Sequence, residues 1–317
     1  MRNSVISIFD TAIAAYNIGN QIIMDAVKAE LMELFPQSFV LSLPVEDIKS
    51  NARRYNAMSD ISFVGGTNIL NGDIRKYRQW DLDLHNVLRL SNIVLLGCGW
   101  CQYEERPITR YTKWAFNKIF SKKYIHSVRD EYTRNKLATI GIDSINTGCP
   151  TLWRITDEVV HKIPKDKKRS AVITLTDYNR NKERDIKLLE ICLSNYDVVY
   201  LFPQGTGDIP YITELGYLEQ LQFVNPQIPA YNTILESGEV DYIGTRLHAG
   251  IRALQKSVRS FIIGIDNRAK EMARDFGLPV LDESRITELD AWINAPYNIK
   301  LNIPFENIES WKQQFKK

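Results

Sequence analysis

The chain has 317 residues, of which 44% are hydrophobic and 25% charged, as in ordinary globular proteins. This length exceeds what one hydrophobic core usually supports, so two domains are expected. Forty Lys and Arg residues against 38 Asp and Glu residues give a net charge of only +2, which argues against a dedicated nucleic-acid-binding protein. Four cysteines are too few for a disulfide framework, and they fit a reducing environment.

No segment has the pattern of a membrane anchor. The apolar part of residues 1–10 is too short for a signal peptide, and no run approaches the ~20 apolar residues of a membrane span. We therefore predict a cytoplasmic protein, and a peripheral contact with the inner face of the membrane stays open. The tail 304–317 carries Ile308, Trp311 and Phe315 at helical spacing, so we expect a helix that docks on the N-terminal domain.

In the first half of the chain, short apolar runs alternate with helical patterns. An amphipathic helix opens at Gly19. Predicted strands cover residues 5–9, 38–42, 61–64, 92–96 and 124–128, and further helices cover 109–120 and 129–140. This alternation predicts a parallel, doubly wound sheet.

The alternation stops at residues 153–170, where the basic run 162–169 lacks apolar periodicity. It resumes with predicted strands at 171–176, 198–202, 221–224 and 261–265 and predicted helices at 183–193, 209–218, 230–237 and 269–276. We therefore predict an N-terminal α/β domain at 1–160, a linker at 161–170, a second α/β domain at 171–303 and a C-terminal helix at 304–317. Ligands of paired sheets bind beyond the carboxyl ends of the strands, here in a cleft between the domains.

The most informative stretch is 241–254, which predicts the end of a strand, a turn at Gly244 and a helix. Arg246 and His248 then lie at the N-terminal end of that helix, where free backbone N–H groups attract anions. A guanidinium and an imidazole at this position suit a phosphate or a carboxylate. The alternative is that Arg246 pairs with a nearby acid and His248 is a partly buried capping residue.

Two other motifs are less specific. Gly65 and Gly66 follow a predicted strand, where they either let a ligand approach the backbone or make a tight turn. Arg129 opens a predicted helix, where a positive charge is unfavourable, so we expect it to bind a ligand anion or a nearby carboxylate.

The cysteines give no metal site. Cys98 and Cys101 form a C-x-x-C pair, but Cys149 and Cys192 stand alone, so no second pair supplies ligands. We interpret the spacing as coincidence rather than as a redox or zinc motif, and we predict neither a metal nor a cofactor.

Four segments resemble the polysaccharide pyruvyl transferase family, in order along most of the chain. They are Asn17-Ile18-Gly19-Asn20, Val64-Gly65-Gly66, Ser127-Val128-Arg129-Asp130, and Gly244-Thr245-Arg246-Leu247-His248 together with residues 265–270. The last segment is the most specific. Members of the family are similar to glycosyltransferases of the GT-B type, which implies two Rossmann-like, doubly wound α/β domains facing a cleft. One departure is Asn20, which stands where the family usually has Asp and puts an acid or base role there in doubt.

The resemblance implies a reaction and its participants. The family transfers the enolpyruvyl part of phosphoenolpyruvate to a sugar, typically as a ketal bridging two hydroxyls. Phosphoenolpyruvate would be the donor substrate, and a sugar or lipid-linked glycan of a bacterial surface polysaccharide or its precursor would be the acceptor. On the donor side the implied residues are Arg129, Arg246, Leu247, His248 and Lys270, with His248 and Arg246 catalytic. On the acceptor side they are Asp10, Asn17, Gly65, Gly66 and Asp177, although Asp10 and Asp177 also fit ordinary loops at strand ends.

Two other functions stay open at this point. One is a GT-B glycosyltransferase that uses a nucleotide sugar, because its diphosphate would suit the same Arg and His at a helix start. The other is a non-catalytic relative that serves as a binding module, which loss of Arg246 or His248 would have favoured.

Overall fold

The structure is a computed structural model that describes residues 4–77, 79–101, 103 and 107–316. The chain divides into two compact units. Unit 1 comprises Met1–Ala15, Ile23–Trp153 and Pro304–Lys317, and unit 2 comprises Tyr16–Ile22 and Arg154–Ile303. Within the described part of the chain, no helix is both long and apolar enough to cross a membrane.

The first part of the chain, up to residue 153, alternates strands with helices as the sequence predicts, although the helices at 50–58 and 84–89 and the strand at 144–146 were not predicted. Its elements are β1 (Val5–Asp10), α1 (Ile18–Leu34), β2 (Phe39–Pro44), α2 (Ser50–Met58), β3 (Ile61–Gly65), α3 (Leu84–Arg89), β4 (Ile93–Leu96), α4 (Arg110–Ile119), β5 (His126–Val128), α5 (Glu131–Ala138) and β6 (Ser144–Asn146), followed by a 3-10 turn at Pro150–Leu152.

Unit 1 is built on a parallel sheet with the strand order β2-β1-β3-β4, and β5 pairs with β6 in a second parallel sheet. Gly97 N donates to Ser127 O at 3.0 Å and Arg129 N donates to Cys98 O at 2.9 Å, so β5 runs beside the chain that leaves β4. The strand order of unit 1 therefore reverses between β1 and β3.

Polar side chains set the start of three helices in unit 1. The side chains of Asp83, Thr109 and Asp130 accept hydrogen bonds from the free backbone N–H groups of α3, α4 and α5. Each bond satisfies one of the donors that a helix leaves unpaired at its first turn. The apolar faces of these helices then pack over a sheet whose central side chains, Phe9 and Phe63 among them, are fully buried.

Residues 154–303 form a second alternating series. Its elements are α6 (Asp157–His161), β7 (Ser170–Thr174), α7 (Lys182–Asn195), β8 (Val198–Leu201), α8 (Asp208–Leu215), β9 (Gln222–Phe223), α9 (Ile228–Glu236), β10 (Val240–Gly244), α10 (Leu247–Gln255), β11 (Ser260–Gly264), α11 (Asn267–Phe276), β12 (Val280–Asp282) and α12 (Leu289–Asn294). The short helix α6 was missed in the sequence, where residues 153–170 lack apolar periodicity. It forms because Thr156 caps it and two acidic residues occupy its first turn.

Unit 2 has a six-stranded parallel sheet with the order β12-β11-β10-β7-β8-β9. The chain starts in the middle at β7, moves to one edge, and returns to β10 to build the other half. This is the strand order of the Rossmann fold, and ligands of such sheets bind at the carboxyl ends of the two strands where the order reverses. In unit 2 that switch point lies between β7 and β10. The predicted α/β class with parallel sheets is confirmed.

The chain ends in unit 1 with helix α13 (Phe305–Gln313). Trp311 is 2% exposed, and its Nε1 donates to Ile125 O at 2.8 Å. The ring of Phe315 packs against the ring of Phe63 at 5.5 Å between centroids. The apolar residues of the tail, which the sequence places at helical spacing, therefore complete the core of unit 1.

Candidate functional site

The loops at the carboxyl edge of the unit 2 sheet are bonded to one another. The hydroxyls of Thr176, after β7, and Thr245, after β10, lie 2.8 Å apart. Asn179 Nδ2 donates to Ile265 O at 3.0 Å, which ties the loop after β7 to the loop after β11. These hydrogen bonds hold the loops after β7, β10 and β11 together at the switch point, and so fix the positions of the side chains on those loops.

Arg246 lies at the centre of this edge, directly before α10, and is 4% exposed. Its Nε donates to Leu175 O at 3.2 Å. Its Nη2 donates to Asp177 Oδ1 at 3.0 Å and also to Asp208 Oδ1. The ring of Tyr178 covers the guanidinium, with 5.0 Å from Cζ to the ring centroid. Of the two alternatives that the sequence left for Arg246, pairing with a nearby acid is present, and it involves two carboxylates.

Asp208, the first residue of α8, is a site residue that sequence reasoning missed. Its side chain is fully buried. Besides Arg246, its carboxylate accepts hydrogen bonds from the backbone N–H groups of Gln204 at 2.9 Å, Gly205 at 2.8 Å and Asp177 at 3.2 Å. Burial raises the pKa of Asp208, and the charge of Arg246 opposes that rise. One carboxylate thus connects the loops that follow β7, β8 and β10.

Two glycines let the loop after β8 close on this ion pair. A Cβ atom on Gly205 would lie 2.7 Å from Arg246 Nη2, and one on Gly207 would lie 2.3 Å from Asp177 Oδ2. Gly207 has a φ of −91°, which any residue can adopt, so the need for glycine there comes from space alone. The loop 203–208 therefore packs directly against Arg246 and its partners.

Leu247 and His248 form the first turn of α10 and are 7% and 8% exposed. The carbonyl oxygen of Arg246 accepts from Tyr242 Oη at 2.8 Å, and the Tyr242 hydroxyl lies 2.6 Å from Thr174 Oγ1. These bonds hold the start of α10 against the ends of β7 and β10. Arg246, Leu247 and His248, which the resemblance assigns to the donor, share this end of the helix.

Residues 16–22 belong to unit 2 and bring Asn17 to the same edge. Ile18 N donates to Gln204 O at 2.9 Å, and Asn17 forms a β-bridge with Gly205. Asn17 Oδ1 accepts from Gly19 N at 2.8 Å and so caps the start of α1. Gln204 is 3% exposed, and its Nε2 has no hydrogen-bond partner among the described residues. Asn17 and Asp177, both predicted for the acceptor side, therefore flank the loop that covers Arg246.

The structure connects Lys270 to the edge strand of the sheet. Its Nζ lies 2.8 Å from Asp282 Oδ2 at the end of β12, and both side chains are partly exposed. The hydrogen bond with Asp282 raises the pKa of Lys270. Arg268, which sequence reasoning passed over, is connected to the switch point instead: its Nη2 donates at 3.1 Å to the hydroxyl of Tyr178, the residue whose ring covers Arg246.

Arg129 lies in unit 1 and is 1% exposed. Its Nε and Nη2 each lie 3.3 Å from Asp130 Oδ2, and its Nη2 lies 3.4 Å from Tyr103 Oη. The guanidinium packs so closely on Gly99 that a Cβ atom there would lie 2.3 Å from Nη2. The nearby carboxylate that the sequence allowed for is therefore present, and binding of a ligand anion by Arg129 stays a prediction.

Asp10 is the last residue of β1, at the point where the strand order of unit 1 reverses. It is 2% exposed, and its Oδ2 lies 2.7 Å from Lys28 Nζ. Its Oδ1 accepts from Ala12 N at 2.8 Å. The carboxylate is thus already engaged on both oxygens, by a lysine and by its own loop.

Gly65 is the last residue of β3, which pairs with β1, and Gly66 follows it; both glycines lie against α1. A Cβ atom on Gly65 would lie 2.6 Å from Val27, and one on Gly66 would lie 2.3 Å from Ile23. Gly66 also has a φ of +57°, a conformation that favours glycine. Close packing of the first helix and a tight turn therefore account for both glycines.

The C-x-x-C pair carries no disulfide, and Cys98 and Cys101 are both in the thiol form. Cys98 is fully buried, and its Sγ lies 3.1 Å from Val64 O. Burial raises the pKa of this thiol to about 12. Cys98 is therefore protonated at neutral pH and packs as a small apolar side chain.

The sequence matches a family model, and the match includes every loop around Arg246. The model described as "Polysaccharide pyruvyl transferase" matches residues 17–267, most of the chain. The chain belongs to the polysaccharide pyruvyl transferase family. The protein is thus a transferase of this family, whose name implies a polysaccharide acceptor, and the resemblance seen in its motifs is confirmed.

Alignment with a solved structure confirms the predicted fold. UDP-GlcNAc 2-epimerase of Methanocaldococcus jannaschii, in complex with UDP-GlcNAc and UDP, aligns over 99% of this chain and 98% of its own with a TM-score of 0.50 and 13% identity. A putative UDP-N-acetylglucosamine 2-epimerase from Listeria monocytogenes aligns over 100% and 91%, with a TM-score of 0.49 and 14% identity. The first of these alignments supports the predicted GT-B-like fold of two Rossmann-like domains. Because the sequence identity is only 13%, it supports the fold and nothing further. No curated protein sequence matches the chain.

Proposed function

We propose that this pyruvyl transferase moves the enolpyruvyl group of phosphoenolpyruvate onto a sugar of a bacterial surface polysaccharide or its precursor, where it closes a pyruvate ketal. The observation that supports the proposal is the position of Arg246 and His248 at the start of α10, at the switch point of the unit 2 sheet. Sheets of this kind bind their ligands there, and a helix start favours an anion.

The donor carries a phosphate and a carboxylate, and both suit the parallel N–H donors of a guanidinium. In the proposed site Arg246 binds one of these groups, and Leu247 and His248 contact the donor from the first turn of α10. Asp208 keeps Arg246 oriented. Arg129 and Lys270 are further proposed donor ligands, and each would have to share its charge with the carboxylate that it already contacts.

Ketal formation needs two additions at the same carbon. The first hydroxyl forms a C–O bond to the central carbon of the donor, its proton leaves, and the methylene carbon takes up a proton to become a methyl group. The second hydroxyl forms another C–O bond as the bond to phosphate breaks, and its proton departs with the phosphate. We assign proton transfer to His248, because an imidazole titrates near neutral pH. Asp10, Asn17, Gly65, Gly66 and Asp177 form the proposed acceptor side.

Thermal unfolding with phosphoenolpyruvate, and in parallel with uridine, guanosine and cytidine diphosphates, tests the proposal without knowledge of the acceptor. A ligand at ~100 times its dissociation constant stabilises the fold by about 2.7 kcal/mol, which raises the midpoint clearly. We expect phosphoenolpyruvate to raise it, and Arg246→Lys to remove most of the shift, because lysine keeps the charge but loses the parallel donors.

Arg169→Lys is the matched control, because Arg169 pairs with the exposed Asp197 at the amino ends of β7 and β8, away from the carboxyl ends where the proposed site lies. This variant should keep the full shift. A shift with a nucleotide and none with phosphoenolpyruvate would reject the proposal in favour of a nucleotide-sugar-dependent glycosyltransferase.

A further inference from the structure

We propose that Asp177 is a counter-ion that the donor displaces from Arg246, so that a carboxylate is released beside the donor only when the donor is bound. This inference rests on the proposed function. It starts from a conflict in the site: the residue that should receive an anionic donor already faces the two carboxylates of Asp177 and Asp208.

The geometry of Arg246 limits how an anion can bind. Bidentate recognition of a carboxylate or phosphate uses two parallel N–H bonds, one from each of two guanidinium nitrogens. Nε is occupied by Leu175 O, and the two hydrogens of Nη2 face Asp177 and Asp208. Nη1 makes no hydrogen bond to any residue that the structure describes. A donor that uses Nη1 and Nη2 together therefore requires one of the two carboxylates to leave Nη2.

The two carboxylates differ in how firmly they are held. Asp208 is fully buried and accepts three backbone N–H groups besides Arg246. Moving it would leave those backbone donors without hydrogen-bond partners in the protein interior, which is strongly unfavourable. The side chain of Asp177 is 26% exposed, and within the described part of the chain its carboxylate hydrogen-bonds to Arg246 alone. Asp177 is therefore the carboxylate that leaves Arg246 Nη2 when the donor binds.

Release from Arg246 allows the Asp177 carboxylate to contact the acceptor. While it is paired with Arg246, the Asp177 carboxylate is committed to that cation. Once displaced, it lies at the end of β7 beside the donor and is free to accept a hydrogen bond from a sugar hydroxyl. The donor then has to bind first, because the carboxylate that orients the hydroxyl becomes available only afterwards.

Calorimetric titration of phosphoenolpyruvate into Asp177→Asn tests this order. An ordinary donor ligand binds more weakly when it is mutated, whereas removal of a competing charge should tighten binding. Two like charges about 4 Å apart repel by roughly 1 kcal/mol even in high dielectric, so we expect the dissociation constant to fall about fivefold. Asp197→Asn, the matched control, removes the same charge from an arginine partner at the opposite edge and should leave the constant unchanged.

Gly207→Ala tests the same displacement while keeping the carboxylate. Its Cβ would lie 2.3 Å from Asp177 Oδ2, and the backbone there accepts alanine, so the side chain of Asp177 has to move off Arg246. We expect this variant to bind phosphoenolpyruvate more tightly than the unaltered protein as well.

The outcomes separate the inference from the proposed function. Tighter binding in Asp177→Asn and Gly207→Ala, with Asp197→Asn unchanged, supports a displaced counter-ion. Unchanged or weaker binding in Asp177→Asn, with phosphoenolpyruvate still bound by the unaltered protein, rejects the inference and leaves the proposed donor in place. If phosphoenolpyruvate fails to bind the unaltered protein at all, the proposed function fails and the inference fails with it.

Discussion

His126 shows how one buried side chain couples the stability of unit 1 to pH. The residue opens β5 and is 2% exposed. Its Nδ1 accepts from Leu95 N at 3.1 Å, so its Nε2, 3.2 Å from Ser121 O, carries the proton and donates to that carbonyl. A ring that accepts at one nitrogen and donates at the other is neutral. Burial lowers the pKa of His126 to about 4.

We predict that acid destabilises the protein through His126. An unfolded histidine titrates near 6.5 and the folded one near 4, so between these values the unfolded state binds a proton that the folded state rejects. Neutral His126 therefore makes its full contribution to the free energy of unfolding above pH ~6.5. The free energy of unfolding falls by roughly 3 kcal/mol as the pH is lowered from ~6.5 to ~4. His126→Gln, which supplies an acceptor and a donor without titrating, should flatten this dependence.

Urea denaturation over that pH range measures the effect. His161→Gln, which alters an exposed histidine on α6, is the control and should keep the slope of the unaltered protein. A His126→Gln variant with an unchanged slope would show that other groups cause the acid sensitivity.

At the scale of the element, helix α13 completes a core that the rest of unit 1 leaves open. Trp311 lies 5.8 Å from the ring of Trp153 and 6.3 Å from that of Phe63, measured between centroids. Lys312 on the same helix pairs with the buried Glu30 of α1. The tail is therefore an integral part of unit 1, since both apolar packing and an ion pair attach it.

Trp311→Ala should destabilise the protein by about 3–5 kcal/mol, because it leaves a cavity and removes the hydrogen bond to Ile125 O. Phe305→Ala, on the same helix but 41% exposed, should change stability by no more than about 0.5 kcal/mol. Chemical denaturation of both variants is the measurement. Equal effects of the two substitutions would mean that the face of α13 is assigned wrongly.

At the scale of the whole molecule, the chain divides into two compact units, one built on the sheet β2-β1-β3-β4 and the other on the six-stranded sheet. We expect Trp311→Ala to speed amide hydrogen exchange in β1 and β3 of unit 1, and phosphoenolpyruvate to slow it in β7 and β10 of unit 2. Exchange followed strand by strand by mass spectrometry tests this. A uniform change over all four strands would show that the chain opens as one cooperative unit.

The sequence predicts the alternation of elements and the fold class well, because apolar periodicity is local. The strand predicted at 261–265 and the helix predicted at 269–276 correspond to β11 and α11 within three residues. The helix α6 escaped prediction because its start depends on a cap and on charges rather than on an apolar face.

The partners of Arg246 could not be predicted, because they are distant in sequence. Asp177 and Asp208 lie 69 and 38 residues away, and only the strand order of the sheet makes their loops neighbours. The alternation of strands and helices indicates a parallel sheet without giving that order. The sequence thus marks Arg246 and His248 as unusual at a helix start, but it gives no sign that Arg246 is balanced by two acids.

The return of the tail to unit 1 has a consequence for the order in which a ribosome delivers this chain. Residues 305–313 are translated after the whole of Arg154–Ile303, yet Trp311 packs beside Phe63, which emerges much earlier. The last strand and helix of unit 2 have therefore left the ribosome before the core of unit 1 can close. Unit 1, most of which is translated before unit 2, therefore completes its core only after unit 2 has been translated. Until then the apolar surface that α13 covers is exposed to chaperones and proteases.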